Sequence, residues 1–266
     1  MSVQMLLESL SHIELTQEEI DTAMLQAKVK KEAALKEIER LEIMEKNRQN
    51  LKLVSKDFTF DQMMGFANYR AGVLFENKVF NRPFVLDESN RWIIELLCLY
   101  FSRDKKFEQL GDYSLDKGLC LVGVPGVGKS WLMKLFMKNP RQCFYVRDCK
   151  QISLSYQEVG AAVIEDYSFP IKAAVNDSSV FLQPQVGVCF SDIGTEDIKN
   201  NFGNKTNVMA DIIFNRYKNN VVGDLTHVET NLSADQIEEF YGPRIRSRFA
   251  EMFNWIVITG KDRRKS

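Results

Sequence analysis

The sequence predicts an α/β fold, a parallel five-stranded sheet between helices, with a helical arm ahead of it. Three observations lead there. Apolar, strand-like runs alternate with helix-like segments from Gly118 onward, the pattern of parallel strands joined by crossover helices. The first of those runs leads directly into Gly123-Val124-Pro125-Gly126-Val127-Gly128-Lys129-Ser130, which fits G-x-x-x-x-G-K-[ST], the phosphate-binding loop. Ahead of both lies a stretch of helix formers that runs without Gly or Pro to about Val54.

Met1 to about Leu15 is too weakly periodic to assign. Thr16-Gln17-Glu18-Glu19 then supplies a cap and an acidic first turn for the long helix. Apolar residues at Ile20, Met24, Ala27, Ala34, Ile38 and Leu41 follow a spacing of about 3.5 residues, interrupted at Lys31. Such a stripe suits a solvated helix lying along its own domain, and equally one that docks on a partner or pairs with itself. From Lys56 to Phe84 the period is lost and Asn81-Arg82-Pro83 breaks the chain, which reads as a connector with some short helix. Asp87-Glu88-Ser89-Asn90 caps a helix from Arg91 to Ser102, with Ile93, Ile94, Leu97, Cys98 and Tyr100 on its apolar face. The expected organisation is an arm over 1–55, a helical connector over 56–117 and a core over 118–266.

In the core the expected strands are Gly118–Val122, Cys143–Val146, Val186–Phe190, Thr226–Asn231 and Trp255–Gly260. Helices are expected from Ser130, from about Val208 to Asn219, from Ala234 to Tyr241 and from Pro243 through Phe253. Ser233 and Gln236 form a capping box, flanked by the staple pair Leu232 and Ile237. Gln157 to Pro184 reads as mixed helix and a loop around Asn176-Asp177-Ser178-Ser179.

The loop sets the chemistry. Its glycines let backbone N–H groups turn inward on a phosphate, and the following helix points its positive end at the same anion. Gly123 through Ser130, with Trp131 at the helix start, are therefore the candidate ATP-binding residues. Lys129 would reach the β- and γ-phosphates, and Ser130 would place its hydroxyl on Mg²⁺. The third strand should end in an acid that holds Mg²⁺ or orients the attacking water, and Asp192 stands there. Asn231, closing the fourth strand, can sense the γ-phosphate. Arg244-Ile245-Arg246-Ser247-Arg248 opens a helix with Arg244 and Arg248 four apart on one face, which reads either as a solvated basic face or as an arginine finger for a neighbouring subunit's nucleotide.

Composition excludes several classes. Lys and Arg number 35 against 36 Asp and Glu, a formal charge of -1, so no global basic field announces nucleic-acid binding. DNA contact would need a local patch, the best being Lys261-Asp262-Arg263-Arg264-Lys265 together with the basic helix. The five cysteines form no C-x-x-C pair and read as buried thiols of a reducing compartment. His12 and His227 lack metal-ligand spacing. With no basic leader and no apolar run of membrane-spanning length, the expectation is a cytoplasmic protein.

Taken together, Gly123–Ser130, Ser191-Asp192-Ile193-Gly194-Thr195-Glu196, Thr230-Asn231-Leu232-Ser233 and Arg244 to Phe253 resemble the DnaC/IstB-type AAA+ ATPases, bacterial helicase loaders and transposon ATP-binding subunits. The resemblance covers about Gly118 to Arg264. It implies an AAA+ core of the ASCE type without a C-terminal helical lid, Asn231 as sensor 1, and Arg248 as a finger offered in trans with Arg244 close by. The implied partners are the replicative helicase, gripped by the N-terminal arm, further copies of the chain, and DNA, single-stranded for a loader. The family's third strand ends in two adjacent acids, and here the first is Ser191. That departure implies slow hydrolysis, with Asp192 holding Mg²⁺ through water and Glu196 or Asp197 assisting, or else binding without cleavage. Three functions follow: a helicase loader, a transposition regulator assembling on duplex DNA, and an adaptor that uses ATP only to join subunits.

Overall fold

A computed structural model of the chain describes residues 16–54, 58–76, 86–172, 185–196, 199–201 and 204–263. The chain forms two compact units, one up to Asn50 and one from Leu51 onward. The expectations for Met1–Leu15, His12, Asn81–Pro83, Asn176–Ser179, Asp197, Arg264 and Lys265 lie outside the described residues.

Helix α1, Gln17–Val54, is 38 residues long, a rod of about 57 Å at 1.5 Å per residue. Thr16 and Glu19 cap it reciprocally: the Thr16 N–H and hydroxyl donate to the Glu19 carboxylate at 2.9 and 2.8 Å. Met24, Leu25, Val29, Leu35 and Ile38 are all exposed along it.

In the second unit, α2 (Phe60–Glu76) and α3 (Glu88–Ser102) precede a short α4 (Lys106–Gln109). The 17-residue α2 is longer than the short helix expected, and Met63, Ala67 and Leu74 bury it against the core. Asp87 caps α3 through a capping box with Asn90.

Five strands form the main parallel sheet: β1 (Gly118–Val122), β2 (Phe144–Asp148), β4 (Gln185–Ile193), β7 (Thr226–Thr230) and β8 (Phe253–Val257). Their order is β2-β4-β7-β1-β8, every one of these pairs parallel. The predicted fold class is thus observed. A two-residue β3 (Ile171–Lys172) adds antiparallel to β4, and β5 (Lys199–Asn201) pairs with β6 (Asn204–Thr206) as a separate ribbon. The helices between are α5 (Lys129–Phe136), α6 (Cys149–Val159), α7 (Ala161–Ser168), α8 (Val208–Lys218), α9 (Ala234–Tyr241) and α10 (Pro243–Met252).

Strand alternation divides the core between the two sheet faces. Leu119, Leu121, Phe144 and Cys189 pack with α2, α3 and α5 on one face. Cys120, Val122, Val188, Phe190 and Val228 pack with α6, α8, α9 and α10 on the other. All five cysteines are buried free thiols. Burial pushes those of Cys98, Cys120, Cys149 and Cys189 up.

Among the departures from expectation, a helix where none was assigned and a strand that starts early have local causes. α6 starts at Cys149, directly after β2, because the Asp148 carboxylate accepts the Gln151 N–H at 2.9 Å and caps it. β8 starts at Phe253 because α10 passes straight into extended backbone. Phe249 and Phe253, four apart, read as one helical face in sequence. Among the described residues, no helix is long and apolar enough to cross a membrane.

Candidate functional site

Placing β7 between β1 and β4 gathers three strand ends at the carboxyl edge of the sheet. Val122 pairs with Thr230 on one side of β7, and Ile193 pairs with Thr230 on the other. This is where ligands bind in open parallel sheets.

From β1 the chain enters the phosphate loop. Gly126 at φ 86° and Gly128 at φ 105° take left-handed conformations that residues with a Cβ resist. Gly128 is the N-cap of α5, so the loop's N–H groups and the helix N-terminus converge. Val127 is buried and anchors the loop, Val124 and Pro125 are exposed at its tip, and Trp131 packs half-buried on the core.

Lys129 is 5% exposed. Its Nζ donates to the Gly123 carbonyl at 2.6 Å, the Val124 carbonyl at 3.4 Å and Asn231 Oδ1 at 2.5 Å. The residue expected to hold phosphate and the residue expected to sense it are therefore in direct contact, although 102 positions separate them. Ser130 follows, half-buried in the first turn of α5.

The end of β4 is irregular. Its register against β7 shifts between Phe190 and Ile193, and Asp192 sits in that bulge at φ 55°. Glu196 is occupied elsewhere: Oε2 accepts the Gly194 N–H at 2.8 Å and Oε1 accepts the Tyr241 hydroxyl. Burial raises its carboxyl above the usual range. It locks the turn after β4 to α9.

Sequence reasoning passed over Glu229. This residue is 0% exposed, one position before the carboxyl end of β7. Its Oε1 accepts the Ser191 hydroxyl, while its Oε2 is buried with no hydrogen-bond partner. Burial raises the carboxyl above its ordinary value, Asp192 adds to the rise, and the Ser191 and Ser130 hydroxyls and the Lys129 charge pull it back. The signal was available. An ionisable side chain inside a central strand of a parallel sheet, buried on both faces, needs a specific partner.

The arginines of α10 are held on their own chain. Arg244 lies over the Phe214 ring at 3.9 Å and Arg246 over Trp255 at 5.3 Å. Arg248 donates to Glu251 at 2.5 Å and to the Tyr217 hydroxyl at 3.1 Å. Arg263 grips Asp87 through two bonds of 3.1 Å and also bonds Ser89. Its guanidinium, with Ser89, holds the Asp87 carboxyl down at about 2. The Arg263 N–H donates to the Gly126 carbonyl at 3.0 Å, so the stretch after β8 borders the phosphate loop.

His227 is part of the core. It is fully buried, accepts the Leu119 N–H at Nδ1 at 3.1 Å, and meets the Tyr100, Phe101 and Phe144 rings. Among the described residues no three His, Cys, Asp or Glu side chains gather as a metal site. A metal here would instead share its ligands with a nucleotide. The oxygen donors around Ser130 and the carboxylates at the ends of β4 and β7 suit Mg²⁺ in that arrangement. A cleft of about 870 Å³ lined by Phe60, Trp92, Leu96, Leu99 and Tyr113 lies apart from these groups, between α2, α3 and the α4–β1 loop.

No protein-family model matches the chain, and no curated protein matches it. Among solved structures it is similar to the DnaC helicase loader, at 18% identity and a TM-score of 0.41, over 68% of this chain and 95% of that one. It is similar to AMPPCP-bound DnaA from Aquifex aeolicus at 12% identity and a TM-score of 0.43, over 66% of this chain and 48% of that one, about half its length. A third likeness, at 17% identity and a TM-score of 0.42, is to a protein of Streptococcus pyogenes serotype M3 described as a primosome component, over 68% of this chain and 85% of that one. Identities and scores this low do not transfer a function.

Proposed function

We propose that this chain is an ATP-binding protein of the DnaC/IstB-like AAA+ type that serves DNA replication, recruiting or loading the replicative helicase through ATP-dependent oligomerisation. The observation that carries the reading is the bond from Lys129 to Asn231 within a phosphate loop on the right strand. Incoming phosphates compete with the Gly123 and Val124 carbonyls for the ammonium, and Asn231 is then free to bond the γ-phosphate. Asn231 lies two residues before Ser233, which caps α9. Helix α9 turns at Gly242 into α10, which carries Arg244 and Arg248. Occupancy of the γ-phosphate site is thereby passed to the arginine helix.

When bound, Mg²⁺ neutralises charge on the β- and γ-phosphates. Ser130 and Asp192 would hold it, and Asp192, at the β4 bulge, would orient water for a slow hydrolysis. Arg248 serves a neighbouring subunit's nucleotide after leaving Glu251 and Tyr217, and Arg244 supports it. The exposed apolar side chains of α1 support the reading of a partner-binding arm. A second reading, an adaptor that binds ATP without cleaving it, draws its support from Ser191.

Co-elution with the replicative helicase, in ATP and then in ADP on a sizing column with mass detection, tests the proposal. A nucleotide-responsive complex requiring the residues before Val54 supports it. Absence of a complex, with ATP-dependent filaments on duplex DNA, would reassign the chain to transposition regulation.

A further inference from the structure

We propose that Glu229 supplies the carboxylate that organises Mg²⁺ at the phosphate loop, having taken over from the adjacent strand the task that Ser191 cannot perform. This rests on the ATP-binding reading above and concerns one residue's role within it.

Position is the first argument. Glu229 pairs in register with Leu121 on β1, one step before the strand ends at Val122. By strand alternation it shares a sheet face with His227, whose ring packs on α3 and β2. That is the face covered by α5, the helix that begins with Lys129 and Ser130. Ser191 lies opposite on β4 and donates its hydroxyl to Glu229 Oε1. Serine is shorter than a carboxylate residue, and glutamate on the neighbouring strand fills the gap that it leaves.

The second argument is the unfilled oxygen. A buried carboxylate usually spends both oxygens on donors, because an oxygen left bare has lost its hydration with nothing in return. Ser191 occupies Oε1, and Oε2 is buried without a partner. The surrounding groups point to what it awaits. The Ser130 hydroxyl and the Lys129 charge favour its ionised form, and Asp192 is the second negative charge nearby. One hydroxyl, two carboxylates and the phosphate oxygens of a nucleotide make an all-oxygen set, as Mg²⁺ requires. A carboxylate that merely braced β4 against β7 would need only the bond to Ser191.

The contribution is read as metal coupling, the ratio of ATP affinity in Mg²⁺ to that in EDTA, by titration of a fluorescent ATP analogue. Mn²⁺ in place of Mg²⁺ is counted by paramagnetic resonance. Glu229→Gln keeps the acceptor for Ser191 and removes the charge. It should lower metal coupling at least ~10-fold and release nucleotide-bound Mn²⁺, while affinity in EDTA stays within about twofold. The exchange variant Ser191→Asp with Glu229→Thr should restore most of the coupling, which a purely structural role for Glu229 would not give. Unchanged coupling in a folded Glu229→Gln chain overturns the inference and leaves a strand brace. If Glu229→Gln does not fold, Glu229→Thr with Ser191 kept decides: coupling lost at little-changed affinity in EDTA supports the assignment, and coupling retained overturns it. A wild-type chain that binds no ATP in either medium would instead remove the function proposed above.

Discussion

Acid should loosen the sheet at the strand that carries the site, through His227. Its imidazole is fully buried against three rings, and Nδ1 accepts the Leu119 N–H, tying β7 to β1. Burial, aided by Arg216, pulls its pKa from 6.5 to about 4, against an opposing pull from Asp224. The folded protein therefore prefers neutral His227. Above about pH 6.5 both states leave it neutral and nothing changes. Between 6.5 and about 4 the unfolded chain takes up a proton that the folded chain refuses, so stability falls as pH falls. At about 1.4 kcal/mol per unit, the loss is about 2 kcal/mol between roughly pH 7.5 and pH 5 and about 3 kcal/mol in full. Urea unfolding across that range, for the wild type and His227→Asn, isolates this share. The asparagine can still accept from Leu119 and does not titrate. Glu196 and Glu229, raised by burial, act with the opposite sign but are common to both proteins. The wild type should lose about 2 kcal/mol more than the variant by pH 5. Parallel pH profiles would refute the claim that His227 is held neutral.

Lys129→Ala should weaken ATP binding at least ~100-fold, since two charge-assisted bonds to phosphate are worth about 3 kcal/mol or more together; calorimetric titration checks this, and retained affinity would count against the nucleotide site itself. Arg248→Ala should leave ATP affinity of the single subunit intact and weaken ATP-dependent assembly, read by sedimentation with and without ATP. Unchanged assembly would remove the finger assignment. Gly126→Ala combines a left-handed backbone with a Cβ placed 1.9 Å from Asp262 Oδ1. It should cost about 1–2 kcal/mol for the backbone alone, more for displacing residues 262–263, and appear as a lower melting temperature.

Much of the fold lay open in the sequence because its signals are local. A phosphate loop is a run of eight residues whose spacing carries its own conformation, and the capping box at Ser233 is likewise complete within four positions. Apolar runs marked four of the five main strands, since parallel strands are buried on both faces; Thr226–Thr230, which carries His227 and Glu229, was marked by β-branched residues between Gly223 and Ser233. Where local patterns overlap, the boundaries slipped. Phe249 and Phe253 keep helical spacing although the second already belongs to β8. The stripe on α1 indicated a helix and could not say what covers it.

The sequence by itself determined the parallel α/β class, the loop from Gly123 to Ser130 and the strand ends at which Asp192 and Asn231 stand. Only the tertiary structure decided which of these meet. The order β2-β4-β7-β1-β8 puts β7 beside both β1 and β4, so Asn231 reaches Lys129 across 102 positions and Glu229 comes within reach of Ser191 across 38. Strand order is set by how helices of given length and apolar face cover the two sides of the sheet, a global packing solution that no short window of sequence contains. For the same reason the missing acid at Ser191 was legible along the chain, while a carboxylate next to it was legible only across the sheet.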